Sequence, residues 1–256
     1  MNCNECTNNE QRNNIPHNQN APHYDFVMQK RFGSALNGLT NINLNIINQY
    51  LMVDNAKILD LGAGTGRLSI LMAMSGHTIT AVDQCAGMLH ELDKKLMNNP
   101  LDITCHIDIN CNHILQNHDL AIALFTVIAY STTLEQLTNT LKTVYDKLKQ
   151  GAYFIFDLEK ITGYQQFRNG ILPYQNYPDL NQQVVISFDD TNPRLGYYQE
   201  ACNGNNNGVV FNYEENFNIM FWEVEEVIQI SHEIGFEHVN TLQPIPSADY
   251  IVLRKK

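Results

Sequence analysis

Lys57-Ile58-Leu59-Asp60-Leu61-Gly62-Ala63-Gly64-Thr65-Gly66-Arg67 decides the fold: a short apolar strand runs straight into a turn with glycine at every second position. Glycine lets the backbone turn sharply and lets a ligand lie against it with no Cβ in the way. A dinucleotide loop written G-x-G-x-x-G would place its third glycine at position 67, where this chain has Arg67. The spacing is therefore wrong for a pyrophosphate-binding turn. Replacement of Gly64 is expected to cost ligand affinity.

Outward from this loop, apolar strands alternate with amphipathic helices. Helices are expected over 67–75 and 87–97, and strands over 57–61, 78–82 and 103–107. A near-continuous apolar run over 120–127 suits a central strand covered on both faces. A helix over 134–148, with Gly151 as its C-terminal glycine, leads to a fifth strand over 153–157. Two short helices, one carrying Phe26, Val27, Phe32, Leu36 and Leu39 and one carrying Ile42, Ile46, Ile47, Tyr50 and Leu51, should precede the first strand. The pattern is that of an α/β, doubly wound parallel sheet.

Beyond Ile161 the rhythm breaks. Strands are expected over 184–188, 195–201 and 209–217, separated by Asp189-Asp190-Thr191-Asn192-Pro193 and Asn203-Gly204-Asn205-Asn206-Asn207-Gly208, both turn compositions. Short polar turns between strands imply an antiparallel hairpin or meander. A helix over 223–234 and strands over 236–242 and 250–253 then resume the sheet. The chain thus divides into a polar, Asn-rich tail at 1–20, a core at 21–160 and 221–256, and an antiparallel insertion at 161–220. The tail has too little apolar content to offset its ordering entropy.

The formal net charge of −11 disfavours binding to a phosphate backbone, so no nucleic acid is expected as partner. No stretch reaches the ~18 apolar residues needed to span a bilayer, and the N-terminus lacks a secretory pattern, so a cytoplasmic protein is expected. The six cysteines are scattered and read as free thiols. Cys3 and Cys6 form a C-x-x-C pair that could be half of a zinc site with His17, His23, Cys105 or Cys111. A second close pair is missing, and no metal is expected.

Two further carboxylates converge on the glycine loop. Asp83 ends the second strand, where an acid can accept both hydroxyls of a ribose. Asp108 follows the third strand, where a carboxylate can meet an adenine amino group or stand solvated in a loop. These residues resemble the class I S-adenosylmethionine-dependent methyltransferases. Residues 58–66 match that family's first motif, and Ala81-Val82-Asp83-Gln84-Cys85-Ala86-Gly87-Met88-Leu89 is similar to its second. Residues 148–157 resemble the segment written Leu-Lys-Pro-Gly-Gly in many members, with Gln150 and Ala152 as departures. The likeness covers residues 55–160 well and 221–256 more loosely.

The resemblance implies a seven-stranded Rossmann-like sheet in the order 3-2-1-4-5-7-6, its last strand antiparallel. It implies S-adenosylmethionine as cofactor, with Asp60 at the methionine end, Asp83 on the ribose, Asp108 on the adenine, and Met88 and Ile109 packing the ring. Gly62, Ala63, Gly64, Gly66, Gln84, Phe125 and Arg31 complete the expected cofactor site. The Leu124–Tyr130 turn is similar to that of small-molecule members such as glycine and aminosugar N-methyltransferases. Tyr130 could hydrogen-bond an acceptor, act weakly as a base, or only pack under a lid. Tyr24-Asp25 resembles the pair that begins the ordered part of many relatives, where the tyrosine closes over the cofactor. Tyr24 and Tyr130 are the candidate catalytic residues.

Methyl transfer is a one-step displacement at a sulfonium, so holding the acceptor in line supplies most of the catalysis. The expected reaction places a methyl group on N or O of a small molecule. The DNA amino-methyltransferase signature, Asn or Asp before two prolines and an aromatic, is absent after the fourth strand. Tyr174, Tyr177, Tyr197, Tyr198, Phe211 and Tyr213 in the insertion could line an acceptor pocket or merely cover the sheet. The insertion could also join two copies as a homodimer. Two rivals stay open: a nicotinamide-dependent oxidoreductase, against which Arg67 speaks, and a cofactor-binding module that regulates or scaffolds a partner.

Overall fold

The computed structural model describes residues 15–107, 111, 113–162, 170–171 and 175–256. Its elements in chain order are α1 (Tyr24–Phe32), α2 (Ser34–Tyr50), β1 (Lys57–Leu61), α3 (Arg67–Met74), β2 (Thr78–Val82), α4 (Ala86–Asn98), β3 (Ile103–His106) and β4 (His118–Ala123). There follow α5 (Leu134–Lys147), β5 (Leu148–Glu159), β6 (Gly170–Ile171), β7 (Gln175–Tyr177), β8 (Leu180–Phe188), β9 (Leu195–Asn206) and β10 (Val209–Met220). The chain closes with α6 (Val224–Ile234), β11 (Phe236–Ile245) and β12 (Ala248–Lys255).

Seven strands form one sheet in the order β3-β2-β1-β4-β5-β12-β11. The five on the β3 side pair in parallel, and β12 runs antiparallel to both β5 and β11. The expected order, with its antiparallel last strand, is the one observed. Alternation along β1 sends Leu59 and Leu61 to one face, with Leu137, Leu141 and Val144 of α5 and Val227 of α6. Ile58 faces the other side, with Ile46 and Ile47 of α2, Leu68 and Met72 of α3 and Leu92 of α4. Two apolar layers therefore hold the parallel strand ends in fixed register, which is what a site at those ends requires.

Several boundaries moved, each for a local reason. Strand β4 stops at Ala123, short of the expected 127, because Phe125 and Thr126 turn left-handed at φ 78° and 71°. A short 3-10 turn, Val127–Tyr130, follows. Gly151 lies within β5 at φ 80°, in a bulge between the His118–Leu148 and Leu120–Tyr153 pairs. The leading helices break at Gly33, at φ 50°. The tail expected to reach residue 20 gives way earlier, since Pro16 and Asn20 are already buried.

The insertion builds a second, antiparallel sheet in the order β10-β9-β8-β6, with β7 paired to β8. Its strands outrun the expected ones, because the asparagine-rich run gives only Asn207-Gly208 to the turn, at φ 51° and 91°. A two-residue turn with positive φ at both positions matches strand twist, so Asn203–Asn206 stay in the ladder. In β10, Phe211, Tyr213, Glu215, Phe217 and Ile219 alternate inward and the residues between them outward. Phe217 and Ile219 pack with Ala129, and Phe211 and Tyr213 with Val27 of α1. The second sheet is thereby fixed over the carboxyl ends of the first.

Helix α5 starts in a capping box: the Gln136 amide donates to Thr133 Oγ1 at 3.2 Å, and the Thr133 amide donates back to Gln136 Oε1 at 3.2 Å. Thr133→Ala is expected to lower stability by about 1 kcal/mol, read as a shifted urea midpoint at unchanged slope.

Candidate functional site

The glycine loop is built on β1 and held by β2. The amides of Gly62 and Ala63 both donate to the Val82 carbonyl, at 2.8 and 3.0 Å. The Gly64 amide donates to Asp83 Oδ2 and the Cys85 amide to Asp83 Oδ1, each at 2.8 Å. One carboxylate thus ties the loop to the N-terminus of α4. A Cβ on Gly62 would fall 2.4 Å from Val127, and one on Gly66 would fall 2.3 Å from Leu92. A Cβ on Gly64 would meet nothing within 4 Å, because that residue borders open space. The space is a cavity of about 830 Å³ at the carboxyl ends of β1, β2, β4 and β5.

Buried carboxylates give the cavity its electrostatics. Asp60 is 4% exposed and accepts from Ser69 Oγ at 2.5 Å. Burial, opposed by the Ser69 hydroxyl and by Arg67, pushes its carboxyl up to about 7. Burial also raises Asp83, against the backbone amides it accepts. Asp157, on β5, accepts from the amides of Phe125 and Thr126 at 2.8 and 3.0 Å, and burial raises it to about 6. Those two bonds hold the left-handed pair in place, a local strain sited at the cavity wall. Arg67 stacks over Phe125, 4.9 Å from the ring centroid, and donates to Thr40 Oγ1 at 2.9 Å.

The far end of the cavity is aromatic. Tyr130 Oη lies 2.8 Å from His17 Nε2, and Phe217 sits edge-on to Tyr130 at 5.6 Å. Tyr198, paired with Phe217 across β9 and β10, stacks on it at 4.6 Å and donates to Glu200 at 2.7 Å. Arg31 reaches the same Tyr198 hydroxyl at 3.3 Å, linking α1 to the insertion.

Of the expected site residues, the structure gathers Tyr24, Arg31, Asp60, Gly62, Ala63, Gly64, Asp83, Gln84, Met88, Phe125 and Tyr130 around this one cavity. Gly66 does not line it; its amide bonds the Ala63 carbonyl and its α-carbon abuts Leu92, so its glycine is needed for loop packing. Asp108 and Ile109 lie outside the described residues, as do Cys3, Cys6 and Tyr174. Among the described residues no group of three His, Cys, Asp or Glu side chains is arranged for a metal ion. No described helix is long and apolar enough to cross a membrane.

Of the insertion aromatics, Tyr198 lines the cavity. Tyr197 points the other way, to Asp189 at 2.8 Å, while Phe211 and Tyr213 are buried against α1. Sequence reasoning missed His17, Arg67, Asp157, Glu159 and Phe217, all of which line the cavity. Phe217 had a signal: it shares strand parity with Phe211 and Tyr213 and stands further along β10.

The sheet order, the glycine loop and the strand-end carboxylates together define a class I methyltransferase fold. Solved structures share it. A S-adenosylmethionine-dependent methyltransferase from Clostridium acetobutylicum aligns with a TM-score of 0.78 at 17% identity, covering 91% of this chain and 98% of that one. DesVI of Streptomyces venezuelae gives 0.75 at 14% identity, covering 92% and 98%. CalS10 of Micromonospora echinaspora, described as an amino pentose methyltransferase, gives 0.72 at 13% identity, covering 91% and 96%. More particularly, the chain belongs to the family described as tellurite resistance protein TehB, which matches residues 26–158. Two curated relatives from Haemophilus influenzae, each described as a probable S-adenosyl-L-methionine-dependent methyltransferase TehB, are 26% identical over 129 and 130 residues. Each match covers 50% of this chain, and 44% and 43% of those relatives' own length.

Two measurements probe the loop and its charge. Gly62→Ala is expected to destabilise by about 2 kcal/mol or more, from left-handed strain plus overpacking, and Gly64→Ala by about 1 kcal/mol, both read by urea unfolding. Because Asp60 binds its proton more tightly folded than unfolded, stability falls as pH rises from about 4 to about 7. Asp60→Asn should therefore raise the melting temperature more at pH 8 than at pH 5, by roughly 2–4 °C per kcal/mol recovered.

Proposed function

We propose that this protein transfers the methyl group of S-adenosylmethionine to an N or O atom of a small-molecule acceptor. The observation that carries the reading is the set formed by Gly64, Asp60 and Asp83. An open face at Gly64 lets a nucleoside lie against backbone, with buried Asp60 and half-buried Asp83 close by. This donor set fits the cofactor. Asp60, raised toward neutrality by burial, is suited to a cationic partner, as the ammonium of the methionine end would be. Asp83 stands where ribose hydroxyls would be accepted, and Met88 and Gln84 border the same end.

When bound, the cofactor would supply an electrophilic methyl group on a sulfonium. The chain's own residues hold the acceptor and exclude water. Phe125 and Thr126, fixed by Asp157, line the cavity, and Arg67 stacks on the Phe125 ring. Tyr130 offers its hydroxyl to the acceptor, and Phe217 and Tyr198 close the apolar side. Tyr24 and Arg31 line the cavity from α1, Tyr24 beside His17 and Arg31 at the Tyr198 hydroxyl.

The similar solved structure described as an amino pentose methyltransferase supports a small-molecule acceptor. The net charge of −11 argues against a nucleic acid in that place. The described cysteines Cys85, Cys105 and Cys202 are free thiols, which suits the cytoplasm. The insertion acts in this reading as the acceptor lid, and its outer face is where two copies could join.

Calorimetry with S-adenosylhomocysteine tests the reading. Binding is expected in the micromolar range, with proton release that is largest below pH 7 and fades above it, since pairing with an ammonium favours the ionised form of Asp60. Gly64→Ala and Asp83→Ala should each weaken binding at least tenfold. Absence of binding at millimolar ligand would refute the reading, and binding without methyl transfer to any metabolite would leave a binding module.

A further inference from the structure

Arg67 opens α3 at the position where a dinucleotide loop would carry its third glycine. Its side chain lines the same cavity as Asp60, Asp83 and Asp157. Two contacts aim it. The Thr40 hydroxyl of α2 donates to the Leu36 carbonyl at 2.8 Å, which leaves the Thr40 oxygen to accept Arg67 Nη1 at 2.9 Å. The guanidinium carbon stands 4.9 Å from the centroid of the Phe125 ring, and the Phe125 amide is in turn fixed by Asp157.

Thr40 takes only one N–H of a guanidinium fork that carries several. Among the described residues the Arg67 side chain makes no other hydrogen bond and no ion pair. Burial lowers the guanidinium, opposed by Tyr24, Asp60, Asp157 and Tyr250. Asp60 and Asp157 therefore feel its charge without closing on it. Burial has also pushed both acids toward neutrality, which leaves the desolvated cation short of an anion. Asp60, by contrast, is suited to a cation. An α-amino acid carries an ammonium and a carboxylate on one carbon, and so answers both groups at once.

We propose that Arg67 binds the α-carboxylate at the methionine end of the cofactor while Asp60 takes the ammonium, so that the two side chains read the zwitterion together. This assignment rests on the methyl-transfer reading and adds to it the residue that recognises the carboxylate. Thr40 and Phe125 are positioning residues, which hold the guanidinium toward the cavity. Arg31, the guanidinium that the resemblance places in the cofactor site, reaches the Tyr198 hydroxyl on the insertion instead. The glycine loop thus departs from the dinucleotide spacing at the residue that takes the carboxylate.

Calorimetry on the full chain compares S-adenosylhomocysteine with its decarboxylated counterpart, S-adenosyl-3-thiopropylamine, which keeps the ammonium and loses the carboxylate. Wild type should bind the decarboxylated ligand about tenfold more weakly or worse, as expected for loss of a charge-assisted hydrogen bond. Arg67→Met should weaken S-adenosylhomocysteine to that same level and leave the decarboxylated ligand within about twofold of wild type. Arg67→Lys should restore part of the discrimination, because it keeps the charge and loses the fork. Thr40→Val leaves Arg67 in place and removes its anchor, so it should reduce the discrimination even if Arg67→Met does not fold. Equal binding of the two ligands by wild type would overturn the proposal. So would an equal loss of both in Arg67→Met, or discrimination that Arg31→Met removes and Arg67→Met keeps. Failure of wild type to bind either ligand would instead refute the methyl-transfer reading, and the assignment with it.

Discussion

The carboxylate of Asp83 holds the structure's working end together. It accepts one amide from the glycine loop and one from the start of α4, so the turn after β1 and the turn after β2 are a single body. The Val82 carbonyl reinforces that body by taking the amides of Gly62 and Ala63. The loop therefore does not depend on a ligand for its shape. Side-chain room is exhausted at Gly62 and Gly66 by Val127 and Leu92, and Gly64 is left as the open face. That open face of bare backbone lies beside buried Asp60 and half-buried Asp83, the set on which the proposed cofactor site rests.

Burial is the second governing constraint. Asp60, Asp83 and Asp157 are all raised by desolvation, and each is offset by different partners: a hydroxyl, two amides, and two further amides with a nearby guanidinium. Arg67 sits among them, stacked on Phe125, and is itself lowered by burial. The site thus stores unfavourable charge that a cationic ligand group would relieve. At the opposite end the chemistry changes to aromatic rings and hydroxyls, with Glu215 and Glu200 acting as structural anchors behind them.

What could be read from the sequence and what could not divide along contact range. The glycine loop, Asp60 and Asp83 belong to strand-turn-helix units whose parts are neighbours in the chain, so periodicity and spacing reveal them. The seven-stranded order needed the resemblance to a known family as well, because periodicity alone does not order strands. The left-handed turn at Phe125 and Thr126 escaped because it is imposed by Asp157, some thirty positions away. His17 escaped for the same reason at longer range: Glu215 draws it in, and an Asn-rich polar segment gives no local sign of burial. In the insertion, parity within a strand separates Tyr198 from Tyr197, but which face meets the cavity is decided only by how the second sheet docks.

The open face at Gly64 and the acids beside it are the proposed cofactor cradle. A crystal structure with S-adenosylhomocysteine tests this most directly. Ribose hydroxyls are expected within hydrogen-bond distance of Asp83, the amino group at the Asp60 end, and the sulfur directed toward Tyr130. A ligand seated elsewhere, or lying across the loop with its ribose away from Asp83, would contradict it.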